Sequence, residues 1–137
     1  MKTLNEHDTW EVINAGKLGH LGCLDRGEPY VVPINNIVDA HHVYSHSLPG
    51  RKIQALRSYP RACLQVGENR NEFHWRSAIA FGRFEEINDD AQRRIILTRL
   101  LKSFPELTPV ESELSPEGPP VIVFRLRIER VTGVAED

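Results

Sequence analysis

The chain has 137 residues, 40% of them hydrophobic and 26% charged, with a net charge of −2. That is the length of one domain, 1–137, with enough chain for a genuine core, and the near-neutral balance excludes the global basic field of a nucleic-acid binder. No apolar run approaches the ~20 residues that span a bilayer, and the start, Met-Lys-Thr-Leu-Asn-Glu-His, has no leader pattern. The expectation is a cytoplasmic protein. Cys23 and Cys63 form no CxxC and read as two reduced structural thiols.

In chain order, "NEHDTWEVINAG" predicts a short helix, with Asp8 as N-cap, Glu11 completing a capping box and Gly16 as the stop. "GHLGCLD" predicts a strand, "RGE" a turn, and "PYVVPINNIVD" a second strand in which Pro33 points to an edge or a bulge, because proline cannot donate to a ladder. "HHVYSHS" is a third strand and "GRKIQALRSY" a short helix ended by Pro60. "RACLQVGE" is a fourth strand and "EFHWRSAIAFGRFEEI" a long fifth. Alternation in the fifth puts Phe73, Trp75, Ser77, Ile79 and Phe81 on one face against His74, Arg76, Ala78 and Ala80, with Gly82 marking a bulge and a switch of face.

"DDAQRRIILTRLLKSFP" predicts the clearest helix, capped by Asp89 or Asp90, with Ile95, Ile96, Leu100 and Leu101 buried and Pro105 just past its end. "ELTPVESELSPEGPP" reads as an exposed loop. "VIVFRLRIERVTGVA" is a sixth strand, with Leu126, Ile128 and Arg130 on one face. Six strands joined mostly by short turns predict a mainly β, antiparallel fold that closes into a small barrel flanked by two or three helices.

Three chemical patterns bear on function. A metal at the histidines is disfavoured: His42 and His46 share a strand face but their Cα atoms lie roughly 13 Å apart at ~3.3 Å per residue, too far to meet one zinc. Nucleophilic catalysis lacks a GxSxG, and Ser45, His46 and Ser47 alternate faces. An anion site has more support. In "SLPGRK", Ser45 and Ser47 offer hydroxyls, Pro49-Gly50 exposes backbone N–H groups at a helix start, and Arg51 and Lys52 bring positive charge where the helix dipole is already positive. From local sequence, this site and a solvated turn are equally favoured. A second polar cluster, Trp75-Arg76-Ser77, interrupts the long apolar fifth strand.

The order of "GHLGCLDRGEPYVVPIN", "VYSHSLPGRKIQALRSYPRACLQV", "WRSAIAFGRFEEI" and "VIVFRLRIERVTGVA" resembles the pyridoxamine 5′-phosphate oxidase-like family. Within that family it is similar to the branch containing 5-nitroimidazole reductase (resistance) proteins. The resemblance spans Trp10 to Val134, and its most specific parts are Tyr-x-His-x-x-x-Gly-x-Lys and Trp-Arg-Ser. It implies an FMN-binding split β-barrel, an oxidoreductase with FMN between the protomers of a homodimer; the histidine spacing separately leads to the expectation of no metal.

The resemblance further implies that Ser45, His46, Arg51 and Lys52 surround the FMN phosphate, with Arg76 and Ser77 completing the cluster. Val32, Pro33, Ile34 and Asn35 would run along the isoalloxazine edge, and Trp75 would pack near the ring or the dimer seam. His46 aligns with a histidine suggested to matter in the nitroimidazole branch. No match to a substrate-phosphate site or a C-terminal Arg-rich segment is found, so pyridoxine 5′-phosphate oxidation is not expected. A flavin or heme carrier or sensor, and an F420-dependent reductase, are the rival readings.

Overall fold

A computed structural model of the chain describes residues 1–104 and 121–137. The elements are β1 (Lys2–Thr3), α1 (Glu6–Ala15), β2 (Leu18–Asp25), β3 (Glu28–Asn35), β4 (Ile37–Asp39), β5 (His42–Ser47), α2 (Arg51–Ser58), β6 (Arg61–Asn71), β7 (His74–Glu86), α3 (Asp90–Ser103) and β8 (Ile122–Glu136). The expected loop "ELTPVESELSPEGPP" and Pro105 lie outside the described residues.

Among the described residues, eight strands replace the six expected. Two-residue β1 adds to β8, and the second predicted strand divides at Asn36 into β3 and β4. The sheet is antiparallel, in the order β3-β2-β6-β7-β8-β5-β4. Its ladder is not closed, yet its two outermost strands, β3 and β4, are separated in sequence by Asn36 alone. The sheet must therefore roll until its edges meet, which gives a split barrel. Asn36 is fully buried and holds this corner: its N–H donates to the Lys17 carbonyl at 2.9 Å and its Nδ2 to Gly16 at 3.3 Å. The Ser45 hydroxyl on β5 donates to the Asn35 carbonyl on β3 and ties the edges again. Pro33 lies on an edge strand, as its missing N–H requires.

The barrel interior takes Leu21, Leu64, Val66, Ala78, Ala80, Phe124 and Leu126. Each fully buried leucine contributes about 1.5–3 kcal/mol relative to exposure. On β7 the small residues Ala78 and Ala80 face inward, and the larger Ile79 and Phe81 face outward. Phe73 precedes β7 and is 67% exposed. α3 covers a second core formed by Tyr44, Ile87, Ile96, Leu100 and Val123.

Several expectations are corrected. α1 begins earlier than read, because Asn5, not Asp8, is its N-cap; Asn5 Oδ1 accepts from the Asp8 N–H at 2.8 Å. Glu11 then serves no capping box and instead lies 3.5 Å from both His7 and Arg76. Ile95 and Leu101 on α3 are exposed, since a helix of this width turns only Ile96 and Leu100 fully to the sheet. The Asp89 cap holds, accepting from the Gln92 N–H at 2.9 Å.

The register does shift at Phe81/Gly82, but β7 keeps its faces. Phe81 pairs with Arg130 and Gly82 with Ile128, so the extra residue, Glu129, belongs to β8. β8 changes face there, which leaves Arg130 exposed and not beside Leu126 and Ile128. Gly82 is required by this crossing: a Cβ would lie 2.4 Å from the Arg127 carbonyl oxygen, a backbone atom with little room to yield. Gly82→Ala is expected to destabilise the fold by ~1–3 kcal/mol or more, read as a lower midpoint in urea unfolding. An unchanged midpoint would mean the ladder is not that tight.

Candidate functional site

α2 begins where β5 leaves the sheet. Its N-cap is Gly50, which supplies no side-chain cap, and its first turn holds no acidic residue. By contrast, α1 and α3 are capped by Asn5 and Asp89. Gly50 thus offers the first turn of α2 no side-chain cap, and the positive end of the dipole stands with Arg51 and Lys52. This donor set suits a phosphate.

Arg51 is held at the end of the β2–β3 hairpin. Its Nε donates to Asp25 at 2.6 Å and its guanidinium stacks 4.2 Å from the Tyr30 ring centroid. The Asp25 hydrogen bond raises the Arg51 pKa above the usual guanidinium range, so the charge is firmly held. One nitrogen is engaged, and the terminal fork of this exposed side chain remains for a bidentate anion. Lys52 follows on the same turn and is half-buried.

The serines next to this turn spend their protons inside the protein. Ser45 donates to Asn35, and Ser47 donates to its neighbour's carbonyl, Leu48, at 2.8 Å. His46 is half-buried on β5, with Nδ1 screened from solvent.

Trp75, Arg76 and Ser77 lie elsewhere. Ser45 pairs with Phe124 on β8, whereas Ser77 pairs with Val134. Ten residues of strand separate those positions, about 33 Å of contour at ~3.3 Å per residue. The ladder of one chain does not set the two clusters side by side. Arg76 is already occupied: Nε and Nη2 each bond Glu68 at 3.0 Å, and Nη1 lies 3.5 Å from Glu11. Trp75 and Arg76 line a polar cleft of about 370 Å³ with His74, Arg70 and Lys2.

Ser77 faces outward on a broad sheet surface. One row across it is Val31, Gly22, Cys63, Phe81 and Arg130; the next is Pro33, His20, Gln65 and Ile79. Arg130 stacks 3.8 Å over Phe81, and the first row lines a groove of about 560 Å³ that also reaches Tyr30. Val31 is 64% exposed here. On β3, Ile34 turns inward and is buried, Val32 packs against the same core, and Pro33 and Asn35 face out.

Sequence reasoning missed the partners of the cations, Asp25, Tyr30 and Glu68. It also missed Gln65, whose outward parity on β6 was the available signal. Asp25 and Tyr30 were not detectable, because only the hairpin's docking against α2 makes them neighbours of Arg51.

A sheet rolled at Asn36, with α2 starting beside its edge, defines a split barrel. Residues 5–135 match the family model described as pyridoxamine 5′-phosphate oxidase, and the chain belongs to that pyridoxamine 5′-phosphate oxidase-like family. A FAD-binding protein from Mesorhizobium loti is 32% identical, with 99% of this chain and 98% of that one covered and a TM-score of 0.82. A curated relative from Rhizobium meliloti (strain 1021) is 29% identical over 144 residues, spanning 98% of this chain and 95% of its own. A candidate 5-nitroimidazole antibiotic resistance protein from Bacteroides thetaiotaomicron VPI-5482 shares the fold at a TM-score of 0.73 and 23% identity, covering 96% of this chain and 86% of that one. No helix among the described residues is long and apolar enough to cross a membrane.

Both thiols are free, Cys23 facing the core and Cys63 the outer surface. Burial raises both pKa values, and for Cys23 the charge of Asp25 adds to it. A raised pKa lowers the thiolate fraction at neutral pH, and the thiolate is the reacting species. Alkylation at pH 7 is expected to be slower than for a small free thiol, and to accelerate as pH climbs through and beyond the ordinary thiol range. Labelling of the native protein as fast as a free thiol would contradict this.

Proposed function

We propose that the chain is a flavin-dependent oxidoreductase that acts in the cytoplasm as a homodimer, with FMN bound between protomers and a small molecule as substrate. The observation that carries the reading is the α2 start, where Gly50 supplies no side-chain cap and the Arg51 fork is exposed, in a chain of this family. Bound flavin supplies the hydride or electron chemistry. The residues supply the rest: Arg51, Lys52 and the α2 dipole hold the phosphate, and the outer edge of β3 from Val32 to Asn35 meets the ring. Nitroimidazole-type reduction is the favoured activity, with His46 as the catalytic candidate.

The separation of the clusters supports the homodimer reading. Ser45–Lys52 and Trp75–Ser77 are far apart along one chain, and a second copy on the outward face would bring one protomer's turn to the other's β7. That face is apolar enough to cover, with Val31, Phe81 and Cys63 across adjacent strands. A second cofactor reading, FAD, is favoured by the 32% identical Mesorhizobium loti protein.

Purified protein is expected to be yellow, with flavin absorbance and no Soret band, and to gain thermal stability when FMN is added. Colourless protein whose melting temperature ignores FMN, FAD and F420 would overturn the reading; parallel titrations separate the cofactors. Arg51→Ala is expected to weaken flavin binding about tenfold or more while leaving the fold intact. Unchanged affinity would return Arg51 to a simple surface ion pair. In sedimentation the parent should run as a dimer and Val31→Asp as a monomer with weakened flavin binding. A parent monomer that holds flavin tightly would refute the shared site.

A further inference from the structure

Three side chains on the outward face form a hydrogen-bonded row across β2, β6 and β7. His20 Nδ1 lies 3.1 Å from Gln65 Oε1, and Gln65 Nε2 donates to Ser77 Oγ at 3.0 Å. An amide oxygen only accepts, so in this arrangement His20 carries its hydrogen on Nδ1. The amide then presents its N–H to Ser77. Ser77 Oγ already accepts, so its own proton is left for something beyond the sheet.

On the β6 side, no side chain crowds Ser77. Its cross-strand neighbour on β6 is Gly67, which has no side chain. A Cβ there would come within 3.2 Å of Gln65 Nε2, so the glycine also lets the amide reach diagonally to the serine. His20 pairs with Pro33, which connects the row to the β3 edge.

We infer that His20 and Gln65 are positioning residues that fix the polarity of Ser77, making its hydroxyl a donor to an acceptor atom of the bound flavin. This rests on the flavin reading above. With the amide reversed, Ser77 would give its proton to Gln65 and offer the flavin only lone pairs. His20 holds the amide in the productive sense.

Gln65→Glu reverses the polarity, because a carboxylate accepts from His20 and from Ser77 alike. It also adds a negative charge, so the test is a cycle with Ser77→Ala, read as the dissociation constant for FMN from flavin fluorescence. Gln65→Glu is expected to weaken binding about tenfold in the parent, and less than about twofold in the Ser77→Ala background, because the effect runs through that hydroxyl. Gln65→Leu, which leaves the hydroxyl free to rotate, should cost less than Gln65→Glu. In the flavin-free parent, nitrogen NMR should find the His20 hydrogen on Nδ1.

An equal cost of Gln65→Glu in both backgrounds would overturn the inference and assign the effect to charge, with the flavin reading standing. A His20 hydrogen on Nε2, or no effect of Gln65→Glu, would also overturn it alone. A parent that takes up neither FMN nor FAD would overturn both.

Discussion

The architecture depends on one geometric constraint: the strands at opposite edges of the sheet, β3 and β4, are joined through Asn36. A flat sheet of seven strands would put those edges tens of ångströms apart at ~4.8 Å per strand. One residue cannot span that, so the sheet rolls. The buried Asn36 amide and the Ser45 hydroxyl satisfy backbone carbonyls at the seam, where unpaired polar groups would be expensive. Rolling divides each long strand into an inner and an outer face. It also explains why β7 turns Ala78 and Ala80 inward, where a narrow interior has little room.

The same rolling distributes the chemistry. α2 docks against the β2–β3 hairpin, so Arg51 finds Asp25 and Tyr30 there. Arg76, further along β7, is held by Glu68 on the adjacent β6. The two cations therefore differ in character. Arg51 keeps donors to spare, whereas Arg76 is enclosed by two carboxylates and acts first as a clamp between β6, β7 and α1. The proposed flavin site, if it uses both ends, draws on a surface larger than one cluster, and the His20–Gln65–Ser77 row lies on the outward face of the same strands.

Much of the fold was legible in the sequence because strand alternation and helix punctuation are local. Pro33, which removes a ladder donor, and Asp89, which caps its own helix, each act on the nearby backbone without distant partners. The errors have equally physical causes. Asp8 and Asn5 are both good caps, and only the packing of Thr9, Val12 and Ile13 decides where α1 starts. Arg130 continues an alternation that a bulge interrupts, and the bulge becomes visible only when β8 is laid beside β7.

The sequence by itself determined the strand-rich order, the open helix start at Gly50-Arg51-Lys52 and, through the motifs around them, the family. Those depend on residue identity and near neighbours. The tertiary structure decided which face of each strand is inside, which carboxylates hold Arg51 and Arg76, and that Ser45 turns its hydroxyl to the barrel seam while Ser77 faces out. Those are contacts between residues from 8 (Glu68 to Arg76) to 65 (Glu11 to Arg76) positions apart, and closing such loops leaves no periodic signature in the chain.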